Sequence, residues 1–451
     1  MLTYNYISGL NLQRGSIYKV CFNYQKEGNQ MEIPEAEKNL YIEEICSGAK
    51  TASKRVSTMT TVEKNRILNL LARKLREKKD IIIQENDKDL LAAKKSGVSS
   101  AFYDRLLLDE KRIEAMAVSV EEIAMLEDPI GKIDHMKKRP SGIRVGQMRV
   151  PIGVVAVIYE SRPNVTIDIA ALCIKSGNSA ILRGGEESIY SNLCLSNIIK
   201  STLIELKCDR NIITFMERLD RSLVPLLLKR NDAIDIVIPR GGEGLIKMVV
   251  QESTVPVIRH EKGVCHLYID ESADKDMAER IAINGKVQRP GVCNALETLL
   301  IHENYPYKES LLNILLKNNV EIRGCDKVLA INSRDIVKAT ADDWPREYLD
   351  LIISAKIVES FEEAVQHIAA YSSGHTEAIV TSDYFKVERF LKEVDSSAVF
   401  VNASTRFHDG GEFGLGAEVG ISTQKLHARG VMGIEGLTTL KYVIYGNGEI
   451  R

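Results

Sequence analysis

The segment Gln288-Arg289-Pro290-Gly291-Val292-Cys293-Asn294-Ala295 sets a thiol directly after a proline–glycine turn. A cysteine on such a tight loop is held out of the core, and Arg289 beside it is expected to favour the thiolate. The next residues, Glu297-Thr298-Leu299-Leu300-Ile301, read as a buried strand that supports the loop. Together these features point to a nucleophile, against the commoner role of cysteine as a small buried hydrophobe. Cys173, Cys194, Cys265 and Cys325 sit in or beside apolar runs and read as core or inert positions.

A second signal occurs twice. Arg183-Gly184-Gly185-Glu186 and Arg240-Gly241-Gly242-Glu243 each follow an apolar run that reads as a buried strand. Open α/β sheets bind ligands outside the carboxyl ends of their strands. Glycines there let backbone approach a phosphate, a helix N-terminus favours an anion, and arginine adds a forked donor. Either copy is also compatible with an ordinary strand-to-helix turn, and two copies are too few for a repeat architecture. Asp409-Gly410-Gly411-Glu412-Phe413-Gly414-Leu415-Gly416 is too rich in glycine for a simple turn and is expected to approach a ligand closely.

The elements that must position these residues follow from periodicity. Thr60 and Glu63 fit a capping box ahead of an amphipathic helix carrying Ile67, Leu68, Leu71 and Leu75, within a largely helical region to about residue 126. Residues 141–150 alternate polar and apolar and read as a strand or hairpin arm. From Pro151 the chain alternates strands (153–158, 179–182, 212–215, 234–238) with helices (165–176, 191–206), which argues for a parallel, doubly wound sheet. A second α/β unit follows, with strands at 299–301, 355–358, 378–380 and 398–401 and helices near 308–317, 361–370 and 386–394. The terminal segment 437–450 reads as a strand that needs a partner edge.

The composition sets limits. The 451 residues are 44% hydrophobic and 27% charged, ordinary for a soluble globular chain of two or three domains. A net charge of −2 implies no general attraction to nucleic acid or to an anionic membrane, and no apolar run is long enough to span a bilayer. Eight cysteines without C-x-x-C pairing, and without a secretory signal, predict free thiols in a reducing cytoplasm and no metal site. Residues 1–30 have no acidic residue before Glu27. They read as a disordered or spurious extension; a single arginine and few serines oppose a transit peptide.

Three stretches carry a resemblance: Tyr159-Glu160-Ser161-Arg162-Pro163-Asn164-Val165-Thr166, residues 288–295, and residues 400–429, which include Val401-Asn402-Ala403-Ser404-Thr405-Arg406-Phe407 and Ser422-Thr423-Gln424-Lys425-Leu426-His427-Ala428-Arg429. With them the chain, over residues 35–451, resembles the aldehyde dehydrogenase superfamily, and within it the branch that reduces an acyl phosphate. The resemblance implies an α/β fold with three parts. These are a Rossmann-like NADP-binding domain (31–140 and 151–262), an α/β catalytic domain (263–436), and a small β oligomerisation arm (141–150 and 437–451). It implies NADPH-dependent reduction of L-glutamyl 5-phosphate to L-glutamate 5-semialdehyde and phosphate through a Cys293 thioester, the second step of proline biosynthesis from glutamate.

The resemblance also assigns roles. Asn164 would stabilise the oxyanion, although its position also suits a helix cap. Arg183, with Gly184 and Gly185, would contact the adenosine ribose and favour NADP through its 2′-phosphate. Arg240, Gly241 and Gly242 fall at the pyrophosphate turn without its usual spacing. Glu412 and Phe413 match a nicotinamide-ribose element that lacks one spacer residue. Arg162, Ser404, Thr405 and Arg406 are candidates for the substrate's anionic groups, with Lys425, His427 and Arg429 as further basic candidates and His427 more suited to a structural hydrogen bond. Glu261 lies near the place of a water-activating base but in a different context, and a reductase must not hydrolyse its thioester, so it is left out of the catalytic set. The expected partners are a second copy of the chain, as dimer or tetramer, and a separate glutamate 5-kinase in transient contact, with no nucleic acid and no membrane. The alternatives are a hydrolytic NAD(P)-dependent aldehyde dehydrogenase acting on another small aldehyde, and a non-enzymatic binding role, which the presence of Cys293 and Asn164 opposes.

Overall fold

The computed structural model describes residues 34–259 and 262–451. The expectations for residues 1–30 and for Glu261 lie outside the described residues. The chain enters through helices Glu35–Val56, Thr61–Glu77, Lys79–Lys95, Ser100–Leu106 and Glu110–Met125. The second begins with a complete capping box between Thr60 and Glu63. Its apolar face buries Ile67, Leu68, Leu71 and Leu75 completely, each worth about 1.5–3 kcal/mol relative to exposure.

Two parallel sheets form the body. The first has the order Ile213–Phe215, Ser179–Gly184, Val154–Tyr159, Ile236–Arg240. Val154–Tyr159 and Ser179–Gly184 are buried at every position, as strands covered on both faces must be. The chain runs outward from Val154–Tyr159 to one side and then crosses to Ile236–Arg240 on the other. A topological switch point therefore lies between these last two strands. Tyr159 pairs with both Gly184 and Arg240, so the two Arg-Gly-Gly-Glu turns and the start of the Glu160–Asn164 segment share one carboxyl edge.

The second sheet has seven strands in the order Val337–Lys338, Glu321–Gly324, Ile352–Val358, Leu296–His302, Cys265–Ile269, Thr376–Val380, Ala398–Val401. Periodicity missed Cys265–Ile269, Glu321–Gly324 and the helix Lys275–Val287. The first of these strands is buried throughout and the second is very short, so neither shows an alternating pattern. The arm is three-stranded. Arg144–Pro151 pairs antiparallel with Thr438–Tyr445 from Pro151↔Thr438 to Arg144↔Tyr445, and Ile133–Lys138 pairs on its other side. Ala417, Val419, Met432, Ile434 and Leu437 pack in one core with the first sheet, so the segment after the glycine-rich loop closes over the N-terminal body. Among the described residues no helix is long and apolar enough to cross a membrane.

Candidate active site

Cys293 lies just before the strand Leu296–His302, at the amino edge of the second sheet, on the loop that follows helix Lys275–Val287. That edge faces the carboxyl edge of the first sheet. The loop is clamped from several sides. Arg105 Nη2 donates to the Gly291 carbonyl at 2.9 Å, and the Cys265 thiol donates to the Cys293 carbonyl at 3.2 Å. Thr405 Oγ1 donates to the Asn294 carbonyl at 2.8 Å, and Asn294 Nδ2 to the His408 carbonyl at 3.0 Å. A Cβ at Gly263 would overlap the Cys293 carbonyl, so only glycine lets the two backbones approach this closely. The Gly263 N–H in turn donates to Glu347 Oε1 at 2.9 Å.

Burial raises the Cys293 thiol to about 11, with Glu418 adding to the rise and the guanidinia of Arg240 and Arg162 opposing it. The cations that favour the thiolate thus come from the first sheet, and not from Arg289. That side chain turns to Asp104 at 3.5 Å. Neighbours on an extended loop point in different directions, whereas strand ends converge on one edge.

Asn164 does not cap the helix Val165–Lys175 that it precedes. Its Nδ2 donates to Asp168 Oδ2 at 2.8 Å. Burial pushes Asp168 up to about 6, against the pull of Asn164 and Arg240, with Glu418 adding to the rise. Ser161, which opens this segment, has φ 49°, a left-handed conformation uncommon for a residue other than glycine, and it turns the chain sharply off the strand.

The sequence candidates separate into groups. Arg162 joins Cys293, and so does Arg240, expected at the cofactor. Arg240 also faces Glu418 at 3.6 Å. Gly241 and Gly242 back onto Glu160, whose carboxylate accepts the Gly242 N–H at 2.8 Å. Ser404 and Thr405, expected at the substrate, are buried and engaged with protein: Ser404 Oγ accepts the Arg406 N–H, and Thr405 holds the Cys293 loop. Arg406 donates to Gln288 Oε1 at 2.9 Å and to Asn294 Oδ1. Lys425 and Arg429 both pair with Asp395, and the His427 ring contacts the Gly436 carbonyl at 2.9 Å. Glu412 and Phe413 stay exposed on a turn. The acid of that segment that turns inward is Glu418, held above the usual carboxylate range by burial. Glu347, Glu418, Asp168 and Arg105 were not singled out in the sequence. None sits in a motif, and only its place beside the loop, half-buried, marks it.

A cleft of about 290 Å³ opens at the carboxyl edge of the first sheet, beside the switch point. Arg183, Arg221, Glu160, Glu187, Gly185 and Gly244 line it among others. Arg183 is nearly buried and donates to the carbonyls of Gly184 and Leu219. A Cβ at Gly185 would overlap Glu187, whose carboxylate accepts the Ser161 N–H at 2.6 Å. Gly184 is hemmed in by Asn192 in the same way. Two guanidinia, carboxylates suited to ribose hydroxyls, and the open backbone of Gly244 at a switch point fit the adenosine half of a dinucleotide, whereas Gly184 and Gly185 make room for Asn192 and Glu187.

Comparison with known proteins agrees with this arrangement. The aldehyde dehydrogenase family model matches residues 15–323. The gamma-glutamyl phosphate reductase of Carboxydothermus hydrogenoformans is 53% identical over 409 residues, covering 90% of this chain and 98% of that one. The crystal structure of the gamma-glutamyl phosphate reductase of Thermotoga maritima superposes with a TM-score of 0.88 at 44% identity, covering 91% of this chain and all of the other. An acetylating aldehyde dehydrogenase from Geobacillus thermoglucosidasius, at 18% identity and a TM-score of 0.69, shares the fold. The chain belongs to the aldehyde dehydrogenase family, in the group formed by the gamma-glutamyl phosphate reductases.

Proposed function

We propose that this chain reduces L-glutamyl 5-phosphate to L-glutamate 5-semialdehyde and phosphate, with NADPH, through a thioester on Cys293. The observation that carries the reading is the convergence of Cys293 with Arg162 and Arg240, where the two sheets meet, in a chain that shares half its residues with reductases of that name. Cys293 attacks the acyl carbon as thiolate, a C–S bond forms, and the C–O bond to phosphate breaks with the electron pair leaving on phosphate. Asn164 Nδ2 and the Cys293 backbone N–H donate to the oxyanion formed in each tetrahedral species. NADPH, when bound, would supply the hydride that reduces the thioester carbon. Cys293 then leaves as thiolate and the aldehyde is released. Arg240 and Arg162 hold negative charge on sulfur in both steps, against the burial that keeps the resting thiol protonated.

Arg183 and Arg221 are the residues suited to a 2′-phosphate, and the cleft they line is the proposed NADP site. The proposed domain division gives cofactor binding to the first sheet and the thiol to the second. The arm is the proposed contact between copies of the chain in a dimer or tetramer. A cytoplasmic location and transient contact with a separate glutamate 5-kinase complete the reading, because an acyl phosphate hydrolyses and cyclises readily.

The test is NADPH oxidation followed by absorbance, coupled to a separate glutamate 5-kinase with ATP and glutamate, in wild type and Cys293→Ala. The reverse reaction is run with glutamate 5-semialdehyde, NADP and phosphate. Phosphate-dependent turnover that disappears in Cys293→Ala is expected. Aldehyde oxidation that proceeds without phosphate would overturn the reading in favour of a hydrolytic dehydrogenase.

A further inference from the structure

Five guanidinia gather around the catalytic loop: Arg105, Arg162, Arg240, Arg289 and Arg406. Two of them face carboxylates, Arg240 with Glu418 at 3.6 Å and Arg289 with Asp104 at 3.5 Å, and Arg406 is engaged by the side-chain amide oxygens of Gln288 and Asn294. Arg105 and Arg162 are not paired in this way. The hydrogen bond of Arg105 in the cluster goes to a neutral carbonyl, Gly291, two residues before the nucleophile. The Arg162 side chain forms neither an ion pair nor a hydrogen bond with any described residue. It is half-buried, with Arg240, Arg105 and Arg289 as like-charged neighbours and Cys293 and Glu418 as acidic ones. The carboxylates nearby are Glu347, which lies near Arg105 and accepts the Gly263 N–H, and Glu418, which lies near Arg162 and is shared with Arg240 and the Gly410 N–H; neither makes a direct ion pair with Arg105 or Arg162.

Five guanidinia beside three carboxylates leave an excess of positive charge, which costs stability and which a bound anion would offset. The two residues approach from different elements. Arg105 ends the helix Ser100–Leu106, and Arg162 follows the strand Val154–Tyr159. They flank the loop that presents Cys293. A forked guanidinium matches two oxygens of a phosphate.

We propose that Arg105 and Arg162 form the site for the phosphoryl group of the substrate, receiving the departing phosphate when the Cys293 thioester forms and presenting phosphate to that thioester in reverse. The proposal rests on the acyl-phosphate reading above and adds a residue, Arg105, from outside the motifs that carry it. In the forward step the C–O bond breaks and the electron pair leaves on the phosphate oxygen. The two guanidinia balance the resulting dianion. In reverse a phosphate oxygen attacks the thioester carbon and the C–S bond breaks.

The experiment is the reverse reaction of the full-length protein with NADP and glutamate 5-semialdehyde, varying inorganic phosphate, in wild type, Arg105→Gln and Arg105→Lys. The KM for phosphate is expected to rise at least about tenfold in Arg105→Gln and less in Arg105→Lys, with the KM for the semialdehyde within about twofold of wild type. A second readout does not need turnover: inorganic phosphate is expected to slow iodoacetamide alkylation of Cys293 in wild type at lower concentrations than in Arg105→Gln. Equal phosphate dependence in wild type and both variants, in both assays, would overturn the phosphate site while leaving the reductase reading intact. No phosphate-dependent turnover in the wild type would instead overturn the reductase reading itself.

Discussion

The Asn164 side chain hydrogen-bonds Asp168, one helical turn along, at 2.8 Å, although it stands where a helix cap would be. The carboxylate fixes one N–H of the amide and so orients the other. Removing the proposed oxyanion donor, Asn164→Ala, is expected to lower kcat by about 10²–10³ with little change in KM. Asp168→Asn keeps an acceptor but loses its charge, and a smaller fall, about tenfold, is expected. The Asp168 carboxyl is raised by burial from 3.8 to about 6, so the folded state binds its proton more tightly than the unfolded chain does. That contribution to stability is present below pH 4 and is lost as pH rises through 6. Asp168→Asn is therefore expected to melt no lower than wild type at pH 8 while being slower. Steady-state kinetics and thermal melts at pH 5 and 8 check both parts.

Glu418 raises the Cys293 thiol and Arg240 lowers it, so their removal should act in opposite directions. Glu418→Gln is expected to move the alkylation midpoint below about 11 and speed iodoacetamide inactivation at pH 8. Arg240→Gln is expected to slow it. Moving the midpoint by one pH unit changes the thiolate fraction, and so the rate, by roughly tenfold. Inactivation rates from pH 7 to 10 would show the signs; a change in the same direction for both would refute this electrostatic account.

Lys286 and Glu297 form an ion pair at 2.8 Å with neither side chain exposed, and they bracket the catalytic loop from the preceding helix and the following strand. Lys286→Met strands a buried acid and is expected to cost about 3–5 kcal/mol. Lys286→Met with Glu297→Gln removes both charges, and part of that loss should return. Urea unfolding of the two single variants and the double variant measures the coupling.

Leu440, Tyr442 and Ile444 lie at alternate positions of the terminal strand and are 44%, 67% and 57% exposed, so one face of the arm carries an uncovered apolar row. Tyr442→Asp combined with Ile444→Asp is expected to reduce the mass in solution to that of a smaller assembly. Light scattering over a concentration series reads it, and an unchanged mass would remove the arm from the interface.

Arg183 is nearly buried in the cleft at the first sheet's carboxyl edge. Arg183→Ala is expected to raise the KM for NADPH by about tenfold and to change the KM for NADH far less. Parallel titrations of the two cofactors decide it.

Most of the fold was legible along the chain. The helix Lys308–Lys317 and the strand Ala398–Val401 fall where apolar spacing puts them, and the Thr60–Glu63 box opens its helix. Periodicity and capping are local, so a single sequence carries them. The loop that presents Cys293, the proposed nucleophile, was legible because proline and glycine force the turn before it. Its surroundings were not. The opposition of Glu418 to Arg240, the turning of Arg289 to Asp104, and the engagement of Thr405 with the catalytic loop join residues far apart in sequence or set the direction of a single side chain. Charge and burial at a site depend on which strand edges meet, and only tertiary packing brings the carboxyl edge of one sheet against the amino edge of the other. The sequence by itself determined most of the elements and the turn that presents the Cys293 thiol; the tertiary structure decided which charges that thiol feels.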